Sequence, residues 1–211
     1  MTLYYGVTIF SFVSLVISVI IGILIFSKLP KDQKWFFGYL GFILIVEITA
    51  KVLILLGEKN WVVYPIYLLG EFLLLAFMCS EALKWSAKLN SVWIGISVLL
   101  LFECLVLWGV NSNVVGGLGK IVSHFIIIGL TGIYLIQKLK EEDRLQENRF
   151  MVTYASLFFY YTISLFLFLI LEQLPGIGDE QAAMVWSLNN LFSALLYGIS
   201  GHTFFKIWKS T

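Results

Sequence analysis

The run "WFFGYLGFILIVEITAKVLILL", residues 35–56, decides the class of fold. It shows no strand-like alternation, and apart from Glu47, Lys51 and a few small or neutral polar residues it is apolar throughout. As a helix it would extend about 33 Å, enough to cross the ~30 Å hydrocarbon layer of a bilayer. The two charges pose the functional question, because a full charge at mid-membrane costs about 2.5–3.5 kcal/mol on translocon scales. A membrane span carries such groups for a reason.

Outward from this run, six more stretches of membrane length appear, at residues 3–27, 61–83, 91–108, 114–136, 150–171 and 184–205. The expectation is an all-α polytopic membrane helix bundle with seven transmembrane helices, forming a single domain over residues 1–211. The first stretch lacks a basic start and a small-residue cleavage site, so it is expected to anchor rather than be removed. Composition agrees: 60% of the 211 residues are hydrophobic and 13% are charged, against about 25% charged in soluble domains. A net charge of +1 gives no footprint for nucleic acid. The lipid bilayer is the expected partner.

The seven tryptophans, at 35, 61, 85, 93, 108, 186 and 208, fall near the ends of these stretches, where an indole keeps its ring in the acyl boundary and its N–H wet. Of the fourteen basic residues, eleven lie in one alternate set of connections and termini: Lys28, Lys31, Lys34, Lys84, Lys88, Lys138, Lys140, Arg144, Arg149, Lys206 and Lys209. The opposite set holds Lys59 alone, and Lys51 and Lys120 are within spans. By the positive-inside rule the amino terminus is expected outside and the carboxyl terminus in the cytoplasm. The hydrophilic stretch "KLKEEDRLQENR", residues 138–149, reads as a helical extension of the fifth span, and as either a docking site for a cytoplasmic partner or a solubilising loop.

On that orientation the in-span polar groups share one half of the bilayer. Glu47 and Glu71 fall near the centres of their spans, with Lys51 one turn farther out than Glu47. Glu103 lies in the outer half of its span, Lys120 in the outer third, His124 close to the centre, and Asn189 and Asn190 in the outer third of the last span. Helical spacing puts Glu47 with Lys51, and Lys120 with His124, on shared faces. Tyr64, Tyr67 and Glu71 form another stripe, and Asn190, Ser193, Tyr197 and Ser200 a fourth. The expectation is one polar pocket in the outer half, with Glu47, Lys51, Tyr64, Tyr67, Glu71, Glu103, Lys120, His124, Asn189, Asn190 and Tyr197 as ligand-binding or proton-relay candidates.

Structural alternatives stand beside each. Glu47 and Lys51 neutralise each other along one helix, serine stripes glue helices together, and Glu81 and His202 pair at the rim with Lys84 and Lys206. Glu71 and Glu103 have no basic residue at helical spacing on their own helices, so each must find its partner elsewhere, stay protonated or face water. "GGLGK", residues 116–120, lacks the spacing of a phosphate loop and reads as a tightly packed helix end. Cys79 and Cys104 sit in apolar runs with no CxxC or Cys/His cluster, and read as packed thiols. No catalytic nucleophile, metal site or cofactor is expected.

"YPIYLLGEFLLLAF" (64–77) and "NNLFSALLYG" (189–198) resemble segments of small seven-helix bacterial inner-membrane proteins to which no activity is assigned. The resemblance implies a bacterial inner-membrane location and a bundle fold, and carries no site residues with it. Microbial rhodopsins need a lysine in the middle of the seventh helix, where this chain has "NNLFSALLYG". Zinc amidohydrolases of the ceramidase and adiponectin-receptor type need three histidines, and this chain has two. Helix signatures of nicotinamide-riboside transporters are absent. Expected function is therefore a ligand-binding or sensor-like membrane module for a small polar or amphipathic ligand. A small secondary transporter, possibly proton-coupled, is the alternative, ahead of an intramembrane hydrolase or an accessory subunit.

Overall fold

The computed structural model describes residues 2–58, 60–110, 117–140, 150–173 and 178–209. Its helices are α1 (Thr2–Ile25), α2 (Lys31–Leu55), α3 (Val63–Ala82), α4 (Ala87–Gly109), α5 (Leu118–Lys140), α6 (Met151–Gln173) and α7 (Asp179–Lys209). All seven are long and apolar enough to cross a membrane, and no strand occurs among the described residues. The chain is thus all-α and reads as a multi-pass membrane protein.

Helix ends differ from the sequence expectation where polar residues join a helix. α2 begins at Lys31 rather than Trp35, after Pro30 in an extended conformation. Its first turn is polar and carries Asp32, a favourable charge at the positive end of the helix dipole. α5 begins at Leu118, and residues 114–116 and 141–149 lie outside the described residues, the latter including most of the stretch expected to extend the fifth helix. α2 stops in a Schellman turn: Glu58 N–H donates to the Leu53 carbonyl at 2.9 Å and Gly57 N–H to Ile54 at 3.1 Å, with Gly57 at φ +76°.

Two compact units divide the chain, Leu29–Ile127 and Met1–Lys28 with Ile128–Thr211. In the first, α2 and α3 run antiparallel: Trp35 meets Phe77 with ring centroids 5.1 Å apart, Gly38 faces Leu74, and the Phe42 ring lies against Gly70. α4 joins through Trp93, whose indole N–H donates to Ser80 Oγ at 2.7 Å. Trp93 is buried, so it is a packing residue and not a belt residue. Glu81 pairs with Lys31 at 3.7 Å, both exposed, instead of with Lys84.

In the second unit α1 and α7 run parallel, as a first and seventh span must. Thr8 meets Asn190, and Ser18 meets Tyr197 and Gly201. The α5 part of this unit packs on α6 through stacked Tyr134 and Tyr154, and α6 on α7 through Phe168 and Trp186. Along α1 the residues Ile9, Val13, Ile17, Ile20 and Leu24 are exposed on one face, an apolar stripe suited to lipid tails.

Candidate functional site

In the Leu29–Ile127 unit, α3 and α5 bring opposite charges together inside apolar surroundings. Tyr64, Tyr67 and Glu71 follow one another along one face of α3. α5 supplies Lys120 from its first turn, then Ser123 and His124. Lys120 Nζ lies 2.8 Å from Glu71 Oε2, with side chains 5% and 1% exposed. Tyr67 donates its hydroxyl to the other carboxylate oxygen, Oε1, at 2.7 Å. Both oxygens of Glu71 are therefore partnered. Lys120 also lies 3.4 Å from the Tyr67 hydroxyl oxygen and over its ring, 4.5 Å from the centroid.

This geometry decides an energetic question. Taking each ion out of water costs several kcal/mol, and only close approach with extra hydrogen bonds compensates. Carboxylate, phenol and ammonium meet that condition together, so the pair stands buried where either charge alone would not. Lys120 is otherwise badly placed, because a cation in the first turn of a helix opposes the dipole.

Glu103 reaches the same helix start from α4. Its Oε2 lies against Gly119, where a Cβ would collide with it, and Leu100 and Leu68 close the other sides. A side chain at 119 would push the Glu103 carboxylate aside. A carboxylate at an α-helix N-terminus is favourable, and this one sits one residue from Lys120. His124, buried one turn along α5, has Nδ1 3.5 Å from Ser123 Oγ, and Ser123 donates to the Lys120 carbonyl at 2.9 Å.

Glu47 is not part of this group. Trp35, Gly38 and Phe42 are among the α2 residues that meet α3. Glu47 lies roughly 140° around the helix from them, in line with Phe36, Leu40 and Ile43. Those three are buried, while Glu47 is exposed and its charge is opposed by Lys51, half-buried on the same helix. Extending the α2–α3 register also sets Glu47 beside Pro65, roughly 9 Å along the axis from Glu71. Glu47 and Glu71 therefore do not stand at one level along the α2–α3 pair, although each lies near the middle of its own apolar run.

Asn189, Asn190 and Tyr197 belong to the other compact unit. Asn190 donates to Thr8 Oγ1 at 2.9 Å, and the Asn189 and Tyr197 carbonyls accept from Ser193 and Ser18. There they join α7 to α1 and to its own turns.

Sequence reasoning missed Ser123 and Gln33, and it read Gly119 only as part of a tightly packed helix end, without its neighbour. Gln33 is fully buried, donating Nε2 to Asp32 at 2.9 Å, while its Oε1 meets no partner among the described residues. Its spacing from Phe36 and Leu40, i+3 and i+7, was the available signal. Among the described residues no three His, Cys, Asp or Glu side chains converge as metal ligands would.

The arrangement can hold or exchange a cation at a carboxylate, and Ser123, beside His124, gives its hydroxyl proton to the Lys120 carbonyl. Comparison with known proteins gives no match: no family model fits the chain, and no curated protein or solved structure is significantly similar to it.

Proposed function

We propose that the chain is an integral membrane ligand-binding module of the sensor type, in which a small polar ligand competes for the Glu71–Lys120 pair. The observation that carries this reading is the pair itself, 2.8 Å apart and buried among apolar helices. A buried ion pair seldom adds stability over an apolar replacement, so its presence is better explained by something it does. Breaking the pair requires a competing charge, which makes it a gate that answers to a ligand. The basic asymmetry supports an outside amino terminus and a cytoplasmic carboxyl terminus, with the site in the outer half. The resemblance of residues 64–77 and 189–198 supports a bacterial inner membrane. A second reading, proton-coupled transport, is favoured by one observation: buried His124 lies one turn along α5 from Lys120.

Thermal unfolding of the purified protein across a set of small polar compounds tests the module. A ligand at about 100 times its Kd stabilises by ~2.7 kcal/mol. A compound that raises Tm of the natural chain, and whose effect is altered in Glu71→Gln or Lys120→Met, is the expected result. If no compound acts through these residues, the reading fails. Uptake of the same compound into proteoliposomes, driven by a pH gradient, would move the conclusion to transport. Reporter fusions after Lys209 should be active only in the cytoplasm, and an external carboxyl terminus would overturn the orientation.

A further inference from the structure

We infer that the ligand of this site is an organic cation bearing an alkylammonium group, and that Lys120 is its tethered stand-in. The inference rests on the binding-module reading and names its ligand class.

The surroundings of Lys120 Nζ carry it. The ammonium meets Glu71 Oε2 at 2.8 Å, the Tyr67 hydroxyl oxygen at 3.4 Å and the face of the Tyr67 ring at 4.5 Å from its centroid. A second phenol, Tyr64, stands next along the stripe, with its centroid 6.4 Å from that of Tyr67. A carboxylate beside the face of an aromatic ring, here Tyr67, is a favourable place for an ammonium group. An anion entering here would meet Glu71 directly. A neutral ligand would have to separate the ion pair and supply no charge in return.

Displacing Lys120 leaves an ammonium that needs a new acid, and Glu103 is placed to receive it. Its carboxylate already lies against Gly119, the residue before Lys120, in space that a side chain at 119 would occupy. The charges then balance. Glu71, Glu103 and Lys120, the first and last buried and Glu103 half-buried, sum to −1 when ionised, so one bound monocation brings the group to neutrality, which a low dielectric favours. Empty, the site is closed by its own lysine. Occupied, it releases that lysine at the start of α5, a local change that could be passed along the helix.

The experiment uses n-butylammonium chloride as the probe, with sodium butyrate and sodium chloride at equal ionic strength. In the natural chain n-butylammonium should raise Tm and butyrate should not. Lys120→Ala removes the internal competitor, so its affinity for n-butylammonium should be tighter by roughly tenfold or more. Should Lys120→Ala not fold, Tyr67→Leu and Tyr67→Phe decide the matter. Losing the ring should weaken binding by roughly tenfold, and losing the hydroxyl alone by less. Stabilisation by n-butylammonium that persists in Glu71→Gln overturns the inference, because it is then not site-directed. Stabilisation by butyrate, or by a neutral compound, that depends on Glu71 and Lys120 while n-butylammonium does nothing overturns the ligand class and leaves the module standing. No site-dependent effect from any compound removes both.

Discussion

The unit built on α2, α3 and α4 and the unit built on α1, α6 and α7 both bury polar side chains, by different means. In the first, beside the bonds of Ser80, Ser97 and Ser123, the buried polarity includes an ion pair: Lys120 and Glu71, forty-nine positions apart in sequence, meet from α5 and α3. In the second it is hydroxyl and amide. Ser193 and Ser200 donate to carbonyls one turn back on α7, and Ser18 shares its hydroxyl between Ser14 and Tyr197. A serine satisfies itself within one turn and needs no particular neighbour. An ion cannot, so the Glu71–Lys120 pair depends on how α3 and α5 meet, while these serines each find a partner within their own helix.

The sharpest test of this contrast removes one charge. Lys120→Met should destabilise by about 3–5 kcal/mol if Glu71 then remains charged and buried. The double variant Glu71→Gln with Lys120→Met should cost clearly less than the sum of the singles, as coupled partners do. Denaturant unfolding in detergent gives the cycle. Additive losses would dissolve the distinction between the two units.

A smaller effect is expected at the α1–α7 seam. A Cβ on Gly201 would come 2.8 Å from Ser18 Oγ and 3.5 Å from Ser18 Cα. Gly201→Ala should cost about 1–3 kcal/mol by overpacking, and Ser18→Ala in the same chain should return part of it. Full tolerance of alanine at 201 would mean the seam is looser than its contacts imply.

The smallest effect returns to residues 46–54. Glu47→Gln with Lys51→Met changes the side of α2 turned away from α3, so stability should stay within about 0.5 kcal/mol. Any site-dependent Tm shift should also be unchanged. A large loss would bring Glu47 back into the functional group.

Much of this was legible without coordinates, and the reason differs by residue. Glu71 stood out because it has no base at helical spacing on its own helix, and the buried lysine of α5 was its natural complement. Tyr67 was readable from its place on the same face. Glu47 is set apart from Glu71 only by the α2–α3 register, which the two apolar runs do not fix. Gly119 was readable only as close packing at a helix end: what packs there is a carboxylate on α4, sixteen positions earlier in the chain. Trp93 looked like six other tryptophans near span ends until Ser80 was found to accept its N–H.

What the sequence determined by itself is the class of molecule. Apolar length forces helices into a membrane, because every backbone group must be bonded internally there, and helical period then assigns side chains to faces. Tertiary structure alone decided which faces meet. Its register put Trp35, Gly38 and Phe42 against α3 and turned Glu47 away, and it placed Lys120 and Glu103 around one end of α5. Period is a property of one helix and repeats every few residues. Contact between helices depends on packing at single positions such as Gly70 and Gly119, where the absence of a Cβ lets a ring or a carboxylate come close.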